Sequence, residues 1–83
     1  MTLLERFGQL MEQHRDGRTL NYVAGKVGCD ARTISNMEEG RSIVRLPVYV
    51  RLCRVYGLTL AQRAELDEIA AGMGAEKEEV ADG

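Results

Sequence analysis

The chain has 83 residues, of which 45% are hydrophobic and 29% are charged, and its net charge is −2. This composition is typical of a globular protein and the length allows one small domain, which excludes a wholly disordered chain and the two-lobed clefts of most metabolic enzymes. Unbroken apolar runs reach only three residues, and the start, MTLLERFG, lacks the apolar core of a signal peptide. We therefore expect a cytoplasmic protein with no membrane segment.

Positive and negative charges are separated along the chain. Residues 1–58 carry nine arginines and lysines against six acidic residues, whereas residues 59–83 carry two against seven. This pattern predicts a mildly basic body with an acidic end, although scattered arginines also occur simply because they solvate helix faces.

Local capping patterns predict the first two helices. Thr2-Leu3-Leu4-Glu5 is a capping box, and the apolar residues after it recur at helical spacing to about residue 14. Thr19 is the N-cap candidate of a second helix, and Gly28 lies where the end of that helix favours a positive φ.

A third short helix is predicted from Asp30, which can cap it, to Gly40, which closes it. The next segment, Ile43–Val50, is ambiguous because its β-branched residues favour a strand or a wing hairpin. Pro47 instead suits the first turn of a helix, and the apolar residues beyond it recur at helical spacing until Gly57. We therefore predict a helix here.

A second capping box, Thr59-Leu60-Ala61-Gln62, opens a last helix that we expect to end near Gly72. From Gly74 onward the sequence is acidic and nearly without apolar residues, which is typical of a disordered tail. The sequence thus predicts an all-α fold of about five short helices over residues 1–73, followed by a tail over residues 74–83.

Residues 20–39 meet the demands of two short helices joined by a tight turn. Ala24 lies where the helices cross, and a larger side chain there would separate them, while Gly28 supplies the turn. The outward positions of the second helix hold short or hydrogen-bonding side chains, which can approach base edges without obstruction. An ordinary helical hairpin would not require an alanine and a glycine at these two places together.

Two segments, TLNYVAGKVGCDARTISNMEEGR (Thr19–Arg41) and LPVYVRLCRVYGLTLAQR (Leu46–Arg63), resemble the Cro/C1-type, lambda repressor-like family of helix-turn-helix DNA-binding regulators. The resemblance covers about residues 3–72, and YGLTLAQRAEL is similar to variants found in actinobacterial and phage members. It implies a small all-helical domain that binds operator DNA as a dimer and often represses transcription.

The chain departs from the family's pattern at a few positions. Leu20 stands where many members carry a glutamine that contacts phosphate. Gly8 and Met11 occupy positions in the first helix that arginine often fills, so the family's usual internal ion pair to Glu38 is not expected from them. Glu38 itself is expected to face inward toward a partner within the protein, because an acidic side chain is unfavourable near DNA and near a helix C-terminus.

The recognition helix and its surroundings hold the candidate DNA contacts. Arg32 lies on the first turn and carries a fork that matches guanine O6 and N7, and Asn36 lies one turn later on the same face. A third candidate, Ala31, can offer only an apolar contact to a thymine methyl group. The predicted contacts to phosphate, which position a protein on the backbone, are Thr33, Ser35, Arg41, Arg45, Asn21 and Lys26.

Further apolar positions are sorted by helical spacing into core and surface. Tyr49, Cys53 and Tyr56 fall on the core stripe of the fourth helix, and the two cysteines, Cys29 and Cys53, are expected as reduced thiols. A second stripe on that helix, together with residues of the last helix, is predicted to form a dimer seam, with the members Val48, Val55, Leu66, Ile69 and Met73.

These patterns predict a non-enzymatic, sequence-specific DNA-binding regulator, in particular a repressor, whose partners are a pseudo-palindromic double-stranded operator and a second copy of itself. The alternative is a protein-interaction module of the same fold, such as an antitoxin or antirepressor, which the acidic end and the missing arginines of the first helix favour. His14 is the only histidine, and the two cysteines are far apart in sequence, so no metal site, cofactor, small-molecule ligand or catalytic grouping is predicted.

Overall fold

Five α-helices follow one another in the computed structural model, which describes residues 1–82 and, of these, the side chains of residues 1–73. They are α1 (Leu3–Arg15), α2 (Leu20–Val27), α3 (Ala31–Glu38), α4 (Leu46–Tyr56) and α5 (Leu60–Asp82). No strand is present in the described part of the chain, and the predicted all-α fold is confirmed. The ambiguous segment Ile43–Val50 is a loop up to Arg45 and a helix from Leu46 onward.

Short-range hydrogen bonds fix the helix starts that the sequence predicts. Thr2 Oγ1 accepts the Glu5 N–H at 3.0 Å, while the Glu5 carboxylate accepts the Thr2 N–H at 2.9 Å. The corresponding distances between Thr59 and Gln62 at the start of α5 are 3.1 and 2.9 Å. Each box satisfies two backbone donors that a helix start leaves without a partner in the helix, so both predicted capping boxes are confirmed.

The last helix continues further than the sequence predicts. α5 ends at Asp82, whereas the sequence predicts an end near Gly72. Alanine, glutamate and lysine, which dominate residues 75–79, are strong helix formers, so nothing local stops the helix after Gly74. The predicted disorder of residues 74–83 concerns a segment whose side chains lie outside the described residues, and it stays a prediction.

The hydrophobic core forms where α1 packs against α3 and α5, and where α2 packs against α3 and α4. Its members are spaced one helical turn apart along each helix, as the sequence patterns indicate. The largest fully buried side chains are Phe7, Met11, Val23, Val27, Ile34, Met37, Leu52 and Leu66.

Two residues of the predicted dimer seam belong to this core. Leu66 is 0% exposed and Ile69 is 8% exposed, so neither can reach a second chain and the prediction is wrong for both. The physical reason is that an apolar stripe shows that a helix face is buried, but not which chain buries it. Val48, Val55 and Met73 are only partly buried, and their role in a seam stays a prediction.

Gly8 lets α1 approach the end of α3 very closely. A Cβ atom at this position would overlap the carbonyl oxygen of Met37 and lie 2.7 Å from that of Glu38. No side chain fits between the two backbones, which explains physically why this chain cannot carry an arginine here. The end of α3 is therefore held directly against the backbone of α1.

Candidate nucleic-acid interface

The crossing of α2 and α3 has the geometry that the sequence predicts. Ala24 is 4% exposed at the crossing, and Gly28 ends α2 with φ +77°, in the left-handed region. The N–H groups of Gly28 and Cys29 both donate to the Ala24 carbonyl, at 3.0 and 3.1 Å, which closes the turn. The roles assigned to Ala24 and Gly28 are confirmed.

Asp30 caps α3 and fixes its first turn. Its Oδ1 accepts the Thr33 N–H at 2.8 Å and the Thr33 hydroxyl at 2.9 Å. These hydrogen bonds, chiefly the one from the Thr33 backbone N–H, hold the pKa of Asp30 below its usual value. The predicted N-cap is confirmed, and the Thr33 hydroxyl donates its proton within the chain.

Replacing Asp30 with asparagine is expected to lower stability at neutral pH but not in acid. The asparagine oxygen keeps the cap but loses the charge. A carboxylate whose pKa is lowered on folding contributes its full stabilisation above its unfolded pKa, near 3.8, and loses it as the pH falls through its folded pKa. The difference in stability from the parent should therefore be present at pH 7 and disappear as the pH falls through the folded pKa of Asp30. Urea denaturation of both proteins across this range measures it. A stability difference that is independent of pH would contradict a lowered pKa of Asp30 in the folded domain.

The three predicted base-contact residues lie together on the first turns of α3. Arg32 is exposed and Asn36 is half-buried one turn further on the same face. Ala31 is partly buried and packs against the core, which leaves little of its methyl group for a partner. The structure thus brings Arg32 and Asn36 together at the surface, with Arg32 the more accessible of the two.

The predicted phosphate contacts fall into two groups by exposure. Arg41 and Arg45 are exposed on the loop between α3 and α4, and Asn21 and Lys26 are exposed on α2. The remaining two, Thr33 and Ser35, are half-buried on α3.

One of these arginines has an acidic partner close by. Arg41 Nη1 lies 3.2 Å from Glu39 Oε2, and both side chains are at least half exposed. Exposed pairs of this kind contribute little to stability and exchange readily with solvent. Glu39, to which the sequence assigns no role, is therefore the acidic neighbour of the loop arginine Arg41.

The remaining charges are distributed unevenly over the surface. On the side of α1 and α5, Arg6 pairs with Glu65 at 3.6 Å, and Arg63 pairs with Asp67 at 3.8 Å. Within the residues whose side chains are described, no carboxylate lies within 4.0 Å of a second group of cations, namely Lys26, Arg32, Arg45 and Arg54. The positive charge that remains uncompensated is therefore concentrated on α2, α3, α4 and the loop before α4, where it attracts polyanions.

Arg15, the last residue of α1, braces α3. Its Nε and Nη2 donate to the two carboxylate oxygens of Glu38 at 2.7 and 3.0 Å, and its Nη1 donates to the Arg18 carbonyl at 2.7 Å. The Glu38 side chain is only 5% exposed and that of Arg15 21%, and hydrogen bonding to Glu38 raises the pKa of Arg15. The inward orientation predicted for Glu38 is confirmed.

The bridge from α1 to α3 therefore exists, although neither Gly8 nor Met11 can supply it. The arginine lies near the end of α1, four residues beyond Met11. No local pattern distinguishes it from other arginines, because its partner is 23 residues away in sequence.

Arg51 is a second residue that the sequence did not single out. From α4 its Nη1 donates to the Val27 carbonyl at 3.2 Å, at the end of α2. A cation is favourable at a helix C-terminus, where carbonyl groups lack partners in the helix. This contact ties α4 to the turn that precedes the recognition helix.

A family model described as a helix-turn-helix domain matches residues 3–66, which include all of α1 to α4 and the start of α5. The chain belongs to this helix-turn-helix family, which supports its resemblance to Cro/C1-type regulators. No curated protein and no solved structure matches it.

Within this helix-turn-helix domain, α2 and α3 form the motif and α3 is the recognition helix. Helix-turn-helix domains bind DNA by placing that helix in the major groove, which accords with the uncompensated cations on α2, α3, α4 and the loop before α4. Among the described helices, none combines the length and apolar character needed to cross a bilayer.

Proposed function

We propose that this helix-turn-helix domain is a sequence-specific regulator that binds a pseudo-palindromic double-stranded operator as a dimer and represses transcription. The observation that carries the proposal is the accessibility of the Arg32 guanidinium. It is exposed on the first turn of a helix that Asp30 caps and that the Arg15–Glu38 pair braces, and no described carboxylate lies within ion-pair distance of it. Its guanidinium is thus available at the end of the helix that enters the groove.

Base recognition follows from the residues on the face of α3. Arg32 donates two hydrogen bonds to guanine O6 and N7, and Asn36 pairs with adenine N6 and N7 or binds a phosphate. Ala31 approaches a thymine methyl group. The Arg15–Glu38 pair does not touch DNA in this mechanism; it sets the angle at which α3 leaves the body.

Contacts to the DNA backbone fix the register of the domain. Arg41 and Arg45 lie on the loop that follows α3, and Asn21 and Lys26 lie on α2, so the two groups suit phosphates beside the groove. Ser35 donates its hydroxyl proton to a phosphate, directly or through water. Thr33, whose hydroxyl proton goes to Asp30, accepts from a water molecule that donates to the phosphate.

Two copies bind together, with their recognition helices in successive major grooves about 34 Å apart. Repression follows because the bound dimer occludes polymerase. The protein works in the cytoplasm, needs no cofactor and performs no reaction.

Arg32→Ala is expected to weaken binding to the cognate operator by about 1–3 kcal/mol and to relax the preference at one base pair in each half-site. The reason is that a bidentate guanine contact is lost while the backbone contacts stay. Competition of cognate against random duplex measures both effects. Arg54→Ala, which removes an exposed arginine of α4, is the control and should lose no discrimination. An equal loss on cognate and random DNA would reassign Arg32 to phosphate.

Arg45→Gln is expected to weaken binding to cognate and random DNA alike. A phosphate contact releases condensed counterions, so its loss should reduce the slope of log affinity against log salt by about one unit. Titrations at several salt concentrations give this slope. A slope equal to that of the parent would show that Arg45 is only a solvated side chain.

The alternative function, a protein-interaction module such as an antitoxin or antirepressor, is favoured by the acidic surplus of residues 59–83. The missing arginines of α1 no longer favour it, because Arg15 supplies the bridge to Glu38. Selection of bound sequences from random DNA separates the two functions. The regulator enriches a palindromic motif, whereas the interaction module enriches none at any ionic strength.

A further inference from the structure

A cleft lies between α4 and α5, beside the loop that leaves the recognition helix. It forms because α4 packs chiefly on α2 and α5 packs chiefly on α1, so the two helices leave a space of about 420 Å³ between them. The rings of Phe7 and Tyr49, 5.8 Å apart, lie buried at its floor. Ile43 and Leu46 border it on one side and Ala71 on the other.

The border of this cleft exposes large apolar side chains. Ile43 is 50% exposed and Leu46 70% exposed, next to an opening whose lining is mostly apolar. A single exposed leucine, such as Leu60 at 89%, is ordinary on a protein surface, but apolar residues that border an apolar cleft mark an interaction site.

The charges of the cleft indicate what can cover it. Its one charged residue, Asp67, is engaged within the chain: Oδ1 accepts the Tyr49 hydroxyl at 2.6 Å, and Oδ2 lies 3.8 Å from Arg63 Nε. A strongly charged partner therefore finds no counter-charge here. In a two-fold contact a patch faces its own copy, so a lining without unpaired charge avoids repulsion there, and the lining of this cleft meets that condition.

The position of the cleft suits such a pairing. α3 contributes no residue to it, so a copy that covers the cleft leaves the recognition helix accessible. The body measures 41 × 26 × 24 Å, so two copies side by side together span more than the spacing of about 34 Å between successive major grooves. A pair of copies that abut along the cleft is therefore large enough to place one recognition helix in each groove.

We propose that this cleft is the surface through which two copies of the chain pair. The inference rests on the proposed dimeric regulator and names its seam. The seam is centred on Leu46, Ile43 and Ala71, rather than on the buried Leu66 and Ile69.

The test is the oligomeric state of the full chain, measured by sedimentation over a range of concentrations. Ala71→Lys places a charge in the seam of each copy, opposite apolar groups of the other. It should raise the dimer dissociation constant on the order of a hundredfold, since uncompensated charge at an interface costs a few kcal/mol. Ala64→Lys, at an exposed alanine of α5 outside the cleft, adds the same charge and should leave the constant unchanged.

A second pair of variants removes apolar surface without adding charge. Leu46→Gln should weaken the dimer about tenfold, and Leu60→Gln should not weaken it. Circular dichroism and thermal denaturation show whether each variant is folded, which is expected because all four positions are exposed.

DNA binding separates this inference from the proposed function. Ala71→Lys should bind a duplex with one half-site as tightly as Ala64→Lys does, and lose only the cooperative binding to two half-sites. A parent chain that is monomeric throughout, alone and on the two-site duplex, or seam variants that dimerise like their controls, would overturn the seam whatever DNA does. Dimers that respond as expected but bind no duplex would confirm the seam and refute the regulator.

Discussion

Gly8→Ala is expected to destabilise the domain by about 3 kcal/mol, a large share of the stability of a domain of this size. The added methyl group would overlap the Met37 carbonyl oxygen and lie 2.7 Å from that of Glu38. Because both obstacles are backbone atoms at the end of a helix, no side chain can rotate away, and α1 and α3 must separate. Urea denaturation followed by circular dichroism measures the loss.

The matched control for this prediction is Gly25→Ala, in the middle of α2. A Cβ atom at Gly25 meets nothing within 4 Å, so alanine there should stabilise the domain by about 0.5–1 kcal/mol through its higher helix propensity. We therefore expect the two substitutions to change the stability of the domain in opposite directions. If both variants are equally stable, α1 does not lie against the end of α3.

Arg15→Met is expected to destabilise the domain by about 2–4 kcal/mol, because it leaves the Glu38 carboxylate buried without its partner. The magnitude follows from burial: the Glu38 side chain is 5% exposed. Arg6→Met removes a pair to Glu65 whose side chains are about half exposed, and it should cost no more than about 0.5 kcal/mol. Thermal and urea denaturation of the two variants compare a buried pair with an exposed one.

Replacing both members of the buried pair tests the mechanism of this loss. Arg15→Met combined with Glu38→Leu should be more stable than Arg15→Met alone, since no charge is then left buried. Its affinity for the operator should nevertheless stay below that of the parent, because the bridge that orients α3 is absent. A double variant that loses stability by the sum of the two single effects would show that the residues do not interact.

The sequence predicts most of the fold because its helix ends are set by local chemistry. Thr2, Thr19, Asp30 and Thr59 each cap the helix expected of them, since a cap needs only a side chain and a backbone N–H three residues away. Pro47 correctly indicates the start of α4 within an otherwise ambiguous segment.

Features that depend on tertiary contacts could not be predicted from such local patterns. From the sequence alone, Gly8 is only a residue of low helix propensity, and Arg15 is only one of several polar residues near the end of the first helix. Their roles depend on the end of α3, more than 20 residues away in the chain. The predicted place of Leu66 in a seam is wrong because periodicity does not show which chain covers an apolar face. The DNA contacts stay predictions, since exposure shows that Arg32 is accessible but not which base it meets.

The uneven pairing of surface charges also affects how the molecule first meets its target. Arg6 and Arg63 are neutralised by acids of α5, whereas Lys26, Arg32 and Arg45 keep their charge on the other elements. The domain therefore carries an electric dipole moment despite its small negative total charge. A polyanion acts on this separation of charge before the two molecules touch, so at low ionic strength the encounter favours orientations that present these cations to it.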